Sequence, residues 1–382
     1  MLVGPHERTN GARSVARGGD ATRHVGARFL PTPEGNTVST DLEEGVSVRI
    51  AVVGCGAIAR AFHLPALAAI PGVSDHLIVV DHDSRRVATA QQEFRASRAA
   101  TDHREVLHDV EAAIVAVPQE FHADVVMDFL RERVPVLCEK PLATTLAQAT
   151  ALVTAADVAG VVLAVNNTRR FYPAVRAARE WIQAGRLGTI RRVEIHEGTS
   201  FNWPLTSGSM FGRRGTGKGV LQDVGAHALD MICWWLGARP SITRYQDDAM
   251  GGSEAVARVE FAGAGCTGVV DLSWLSRLPN TFRVVGDEDT LEGGILAWDA
   301  VRLTGRGGSR KVRLRPEVRS FPRVRDHVIA DFLGAVRGER RPAVPAREVL
   351  PSIAMIEECY GRREPFPMPW FDTVSEASSV VL

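Results

Sequence analysis

The chain's 382 residues are long for one domain and comfortable for two. Its 45 basic and 45 acidic residues cancel, which leaves no charge excess to draw it to nucleic acid or an anionic membrane surface. No run approaches the roughly 18–20 uncharged apolar residues that a bilayer span needs, and Cys55, Cys138, Cys233, Cys266 and Cys359 lack C-x-x-C spacing, so a cytoplasmic protein with reduced, buried thiols is expected.

Residues 1–46 are rich in Gly, Arg, Pro, Thr and Ser without apolar period and read as a disordered extension. From Val48 the texture changes. Val48–Val53 is a buried strand, followed by a glycine turn and a helix through Ala69. Strands are expected at Leu77–Asp81, Ala112–Pro118, Val134–Cys138 and Val161–Val165, with helices at Arg85–Phe94, Ala123–Arg133 and Thr145–Val158. That alternation means βαβ units and a doubly wound parallel sheet over residues 47–167.

After residue 168 the grammar shifts. A helix over Pro173–Ala184 ends at Gly185, and Ile190–Gly198 is a strand. A helix near 219–236 precedes strand-like runs at 242–247, 254–261, 265–276 and 281–286. Strands in succession predict a second, α+β domain over 168–365 with a large, mostly antiparallel sheet. Helices at Val324–Arg337 and Ala346–Tyr360 close it, and 366–382 reads as an irregular tail.

The first chemical motif is Gly54-x-Gly56-x-x-Ala59 between strand and helix. Gly54 permits the tight turn, Gly56 lets a pyrophosphate approach the backbone, and Ala59 keeps helix and sheet close, with Ala57 and Ile58 at the helix start. Asp81, at the end of the next strand, can take the adenosine ribose hydroxyls and favours NAD; Arg85 and Arg86 nearby keep NADP open. The second motif is Glu139-Lys140-Pro141 at a strand's carboxyl end, where open α/β sheets bind ligands. Only three residues are lysine, Lys140, Lys218 and Lys311, in a chain otherwise committed to arginine. Lysine is a compact donor whose proton affinity shifts on burial, which arginine's does not.

The third is Asp223 and His227, four apart and so on one face of a helix. A carboxylate beside an imidazole fixes its tautomer, a general-base arrangement, although a capping aspartate and a core histidine would show the same spacing. Val224, Ala228, Met231 and Trp235 form a neighbouring apolar stripe. Asn166-Asn167-Thr168-Arg169-Arg170-Phe171 lies at the junction of the two sheets, either as a polar lining or as a solvated linker. Phe201-Asn202-Trp203-Pro204 has aromatic and amide groups that suit a polyhydroxylated ring. No set of residues is spaced as a metal site.

Taken together, the Gly54 turn, Ala116-Val117-Pro118 with His122, Glu139-Lys140-Pro141-Leu142-Ala143, Arg169-Arg170-Phe171 and Gly219-x-Leu221-x-Asp223-x-Gly225-x-His227-x-x-Asp230 resemble the Gfo/Idh/MocA family of nicotinamide-dependent sugar and cyclitol oxidoreductases. The resemblance implies a Rossmann domain binding NAD or NADP through Gly54, Gly56, Ala57, Ile58, Asp81, Arg86, Pro118, His122, Glu139 and Lys140. It implies a sugar or cyclitol at Lys140, Arg170, Asn202, Trp203, Asp223 and His227, with Lys140, Asp223 and His227 catalytic and His227 the proton acceptor. It also implies a homodimer or homotetramer. Two departures stand out: Ala59 for the third glycine, and Lys218 in a slot often held by glycine. A glycosidase or epimerase-like enzyme that retains its cofactor, and a non-catalytic nicotinamide-binding regulator, are the alternative readings of the same scaffold.

Overall fold

Apolar runs bounded by turn residues build the first of two sheets in the computed structural model, which describes residues 47–202, 219–249, 252–316 and 318–367. The expected extension over 1–46, Trp203, Pro204, Lys218 and all but the first two residues of the tail at 366–382 lie outside the described residues. Strands β1 (Ile50–Val53), β2 (Leu77–Val80), β3 (Arg98–Ala100), β4 (Ala112–Val115), β5 (Val136–Cys138) and β6 (Leu163–Val165) pair in parallel in the order 3-2-1-4-5-6. This is the doubly wound dinucleotide-binding order. Every residue of β1, β2 and β4 is buried, as a parallel sheet covered on both faces requires. The helices are α1 (Leu64–Leu67), α2 (Ser84–Phe94), α3 (His122–Arg131) and α4 (Leu146–Ala159). A π-helical turn, Ala59–His63, leads into α1. Strand β3 was not expected from the sequence; its three residues carry an arginine and no β-branched side chain.

Helix α5 (Pro173–Gln183) leads to β7 (Ile190–Gly198), and α6 (Ala226–Leu236) to β8 (Ser241–Asp247). Then follow β9 (Val256–Gly263), β10 (Cys266–Ser273), β11 (Thr281–Gly286), β12 (Asp289–Gly294), β13 (Ala300–Gly305) and β14 (Gly308–Arg313). Helices α7 (Phe321–Val336) and α8 (Leu350–Gly361) precede the short edge strand β15 (Arg363–Pro365). These strands form a nine-stranded sheet in the order 14-13-12-11-7-10-9-8-15. It is antiparallel except where β7 meets β10 and β8 meets β15. The fold is thus α/β: a Rossmann sheet followed by a large, mostly antiparallel one.

Of the expected stripe, Ala228, Met231 and Trp235 form the buried side of α6 and are at most 1% exposed, while Val224 lies just before the helix and is partly exposed. Trp235 packs its ring on Phe282 of β11, centroids 5.1 Å apart, and gives its indole N–H to the Val175 carbonyl at 3.0 Å. That contact seats α6 on the second sheet, and α6 carries His227. All five cysteines are free and buried, and no described helix is long and apolar enough to cross a membrane. Phe282→Ala is expected to lower the unfolding free energy by roughly 3–5 kcal/mol through transfer and cavity costs, read as a lower urea midpoint at unchanged slope.

Candidate active site

The glycine turn sits where β1 ends. Gly54 has φ +99°, and a Cβ there would fall 2.5 Å from the Ala116 carbonyl oxygen at the end of β4, so only glycine fits. Its N–H donates to the Val80 carbonyl at 2.7 Å, pinning the turn to β2. Gly56, Ala57, Ile58 and Pro118 are partly exposed around this turn. Asp81 follows β2 and fixes the turn from the other side: Oδ2 accepts the Cys55 N–H at 2.8 Å, and Oδ1 accepts the Asp83 N–H at 2.9 Å. An ionised carboxylate has about four acceptor sites, so each oxygen retains capacity for a ribose hydroxyl. Arg86 Nη1 lies 4.0 Å from Asp81 Oδ1, and its Nε lies 3.5 Å from Asp83 Oδ2. The close backbone approach and the anchored carboxylate fit a dinucleotide.

The Glu139-Lys140-Pro141 run closes β5, and the Lys140–Pro141 peptide is cis. Glu139 faces inward: Oε1 bonds His63 Nε2 at 2.8 Å and accepts from Asn166 Nδ2 at 2.7 Å. Burial pushes its carboxyl up, but His63, Asn166 and Lys140 outweigh that and hold it below the usual range. Glu139 and His122 are both expected from the sequence as cofactor contacts, yet both are buried, His122 to 1% exposure. His122 puts Nδ1 2.8 Å from the Pro141 carbonyl and Nε2 2.9 Å from the Val117 carbonyl. Burial keeps the His122 ring neutral, so it donates to one of these two carbonyls, behind the turn that presents Lys140.

Lys140 points across to the second sheet's helices. Its ammonium donates to the Asp223 carbonyl at 2.9 Å and pairs with the Asp223 carboxylate. Asp223 lies in a π-helical turn, Leu221–Gly225, that runs into α6. Glu254 holds the start of that turn: its buried carboxylate accepts the Gly219 and Leu221 N–H groups at 2.9 and 3.1 Å. The Tyr360 hydroxyl and Arg363 complete its partners at 2.8 and 3.0 Å. His227 sits on the first turn of α6, but its partner is not the expected Asp223, which is occupied by Lys140. Nδ1 of His227 lies 2.5 Å from Asn167 Oδ1. Burial, then the charges of Lys140 and Arg169, hold the imidazole well below its usual 6.5.

The two arginines after β6 separate. Arg170, expected on the substrate, is sealed inside with 1% of its side chain exposed. It grips both carboxylate oxygens of Asp230 at 2.7–2.8 Å and Glu348 at 2.6 Å. The sequence made it look like a pocket residue because its partners lie 60 and 178 residues away. Arg169 is the one beside the site, paired with Glu197 on β7. Asn202 is exposed just past β7. Sequence reasoning did not single out His63 or Glu197, and it quoted Arg169 within its motif but gave the site role to Arg170. Glu197 carried a signal: it follows Val193 and Ile195 in the inward register of β7, where a charge is costly.

A dinucleotide turn at one end of a parallel sheet, with a lysine at a later strand end facing a second sheet's helix, defines a class: nicotinamide-dependent oxidoreductases acting on CH–OH groups. The chain belongs to the Gfo/Idh/MocA family, with residues 48–167 matching its NAD-binding Rossmann fold and residues 175–292 its C-terminal domain. D-apiose dehydrogenase from Paraburkholderia graminis is 27% identical over 329 residues, spanning 81% of this chain and 86% of that one. Myo-inositol dehydrogenase Hyg17 from Streptomyces leeuwenhoekii is 35% identical over 191 residues, 49% of this chain and about half (55%) of that protein. In fold, the chain is similar to levoglucosan dehydrogenase in complex with NADH and levoglucosan, with TM-score 0.73 and 18% identity over 83% of this chain and 97% of that one.

Gly54→Ala is expected to raise the Kd for NADH at least tenfold in a titration of nicotinamide fluorescence, because the turn must open to admit the methyl group. Arg170→Met is expected to cost roughly 3–5 kcal/mol of stability by leaving Asp230 buried and unpaired. A raised KM at unchanged stability would instead make Arg170 a substrate contact.

Proposed function

We propose that the enzyme interconverts a secondary alcohol and a ketone on a sugar, sugar derivative or cyclitol, with His227 as proton acceptor and donor. Bound nicotinamide dinucleotide supplies the hydride acceptor or donor, held by the Gly54 turn and by Asp81 at its ribose. NAD is the proposed cofactor, because the Asp81 carboxylate would repel a 2′-phosphate. The single observation that carries this reading is the pairing at His227. Its Nδ1 faces the oxygen of Asn167, so Nδ1 carries the ring proton and Nε2 is left with its lone pair. Lys140 would donate to the reacting oxygen and offset its developing negative charge. Asp223 holds that ammonium by two bonds and fixes its direction.

The depressed affinity of His227 sets a sign. A base whose proton binds well below 6.5 is neutral at pH 7 and loses that form only as pH falls through the depressed value. The acid limb of kcat/KM for alcohol oxidation is therefore expected below pH 6.5. His227→Ala is expected to lower turnover by roughly 10²–10⁴-fold with NADH binding intact. Full turnover in that variant would remove the role assigned to His227. The assay is nicotinamide absorbance against a panel of neutral sugars and cyclitols; product without net reduction would point to a retained cofactor instead.

A further inference from the structure

Two buried polar atoms, Arg169 Nε and Glu197 Oε2, have no hydrogen-bond partner among the described residues. They belong to one pair, bonded through Arg169 Nη2 and Glu197 Oε1, with side chains 14% and 9% exposed. Arg169 rises from the 3₁₀ turn Thr168–Phe171, and the residue that caps this turn, Asn167, holds His227. The guanidinium lies over the Tyr172 ring, 5.1 Å from its centroid, and Tyr172 in turn meets Trp298 edge-on. Arg169 is thus held on two sides and cannot swing away from the imidazole without breaking both contacts.

Packing alone gives no reason for Glu197. Its position on β7 continues the inward row of Val193 and Ile195, where an apolar side chain would bury without desolvation cost. A buried ion pair is weak support for stability, so its placement calls for another use. Among the described residues, Lys140 after β5 and Arg169 at the 3₁₀ turn act on His227, and their own charged or titratable neighbours are Asp223 on the π turn, Tyr172, and Glu197 on β7. Within this set of described residues, Lys140 is matched by Asp223 and Arg169 by Glu197.

We propose that Glu197, acting through Arg169, is a positioning residue that sets the proton affinity of His227. This rests on the reading of His227 as the proton acceptor. Ionised Glu197 opposes the Arg169 field that lowers the imidazole's proton affinity, and neutral Glu197 leaves that field unopposed. Burial pushes the Glu197 carboxyl up, against the pull of Arg169, so the neutral form lies closer than for a surface glutamate.

The test is the pH profile of kcat/KM in E197Q, R169Q, R169K and H227A. In E197Q the uncompensated guanidinium is expected to move the acid limb about one pH unit lower, the order by which a nearby like charge shifts a titrating group. R169Q is expected to move it higher, and R169K, which keeps the charge, to leave it near the wild-type midpoint. A merely structural role would lower activity without moving the limb. Unmoved midpoints in E197Q and R169Q, or shifts of the same sign, overturn the proposal. Should E197Q fail to fold, the contrast between R169Q and R169K decides alone. If H227A keeps the limb and its turnover, the parent reading fails. If H227A loses turnover while the other variants leave the limb in place, only the role of Glu197 fails.

Discussion

Lys140 and Asp223 are 83 residues apart, and the bond between them requires the end of β5 in the first sheet to meet the π turn that leads into α6 against the second. Neither end is left to the flexibility of a lysine stem. On one side Glu139 is clamped by His63 and Asn166, and His122 lies within hydrogen-bond distance of the carbonyls of Val117 and Pro141. On the other, Glu254 gathers the amides of Gly219 and Leu221, where a Cβ on Gly219 would lie 1.9 Å from the Glu254 carbonyl oxygen. A reacting oxygen must be met within tenths of an ångström, so rigidity on both sides of the seam is what the chemistry demands.

The basic residues divide by what their chemistry allows. Arg170 is planar and always charged, which suits a sealed, two-pronged grip on Asp230 and a further bond to Glu348, tying the start of the second half to α6. Lys140 is a point donor, and it stands at the end of β5 with its ammonium on the Asp223 carbonyl and carboxylate. Arg169 lies between these uses: its fork binds Glu197 while its charge reaches His227. Adjacent arginines thus serve opposite purposes because successive residues of the turn face different ways.

How much of this could be read from the sequence depends on how local the cause is. The first sheet was legible apart from β3 because its other five strands are apolar runs between turn residues, and β7 was legible to the residue. Strands β12, β13 and β14 were not expected, because the outer two have little apolar pattern: Asp289–Gly294 ends in two glycines, and Gly308–Arg313 is almost wholly exposed. They are strands because a neighbour offers a backbone ladder, and β-propensity gives way to that context. Edge strand β15 even contains Pro365, tolerable only at an edge. At the site, spacing brought Asp223 and His227 to one helix correctly, and then failed on their partners. A four-residue interval reports neighbours within an element; Asn167 and Lys140 arrive from 60 and 83 residues away.

The least legible feature is the one with the strongest physical reason. Strand β7 buries Val193 and Ile195 beneath the helices, and the same period then delivers Glu197 to the end of the row, beside the 3₁₀ turn. Were the row to close on valine, the sheet would lose nothing in packing, but Arg169 would be buried with no carboxylate and would act on His227 at full strength. Removing Arg169 as well would empty the wall behind the imidazole and leave Tyr172 without its cation. On the proposed reading of His227 as the proton acceptor, the pair therefore lets a bulky, charged wall stand next to a base that must stay neutral yet able to accept a proton. Its cost in desolvation falls on the sheet, and its effect falls on the histidine.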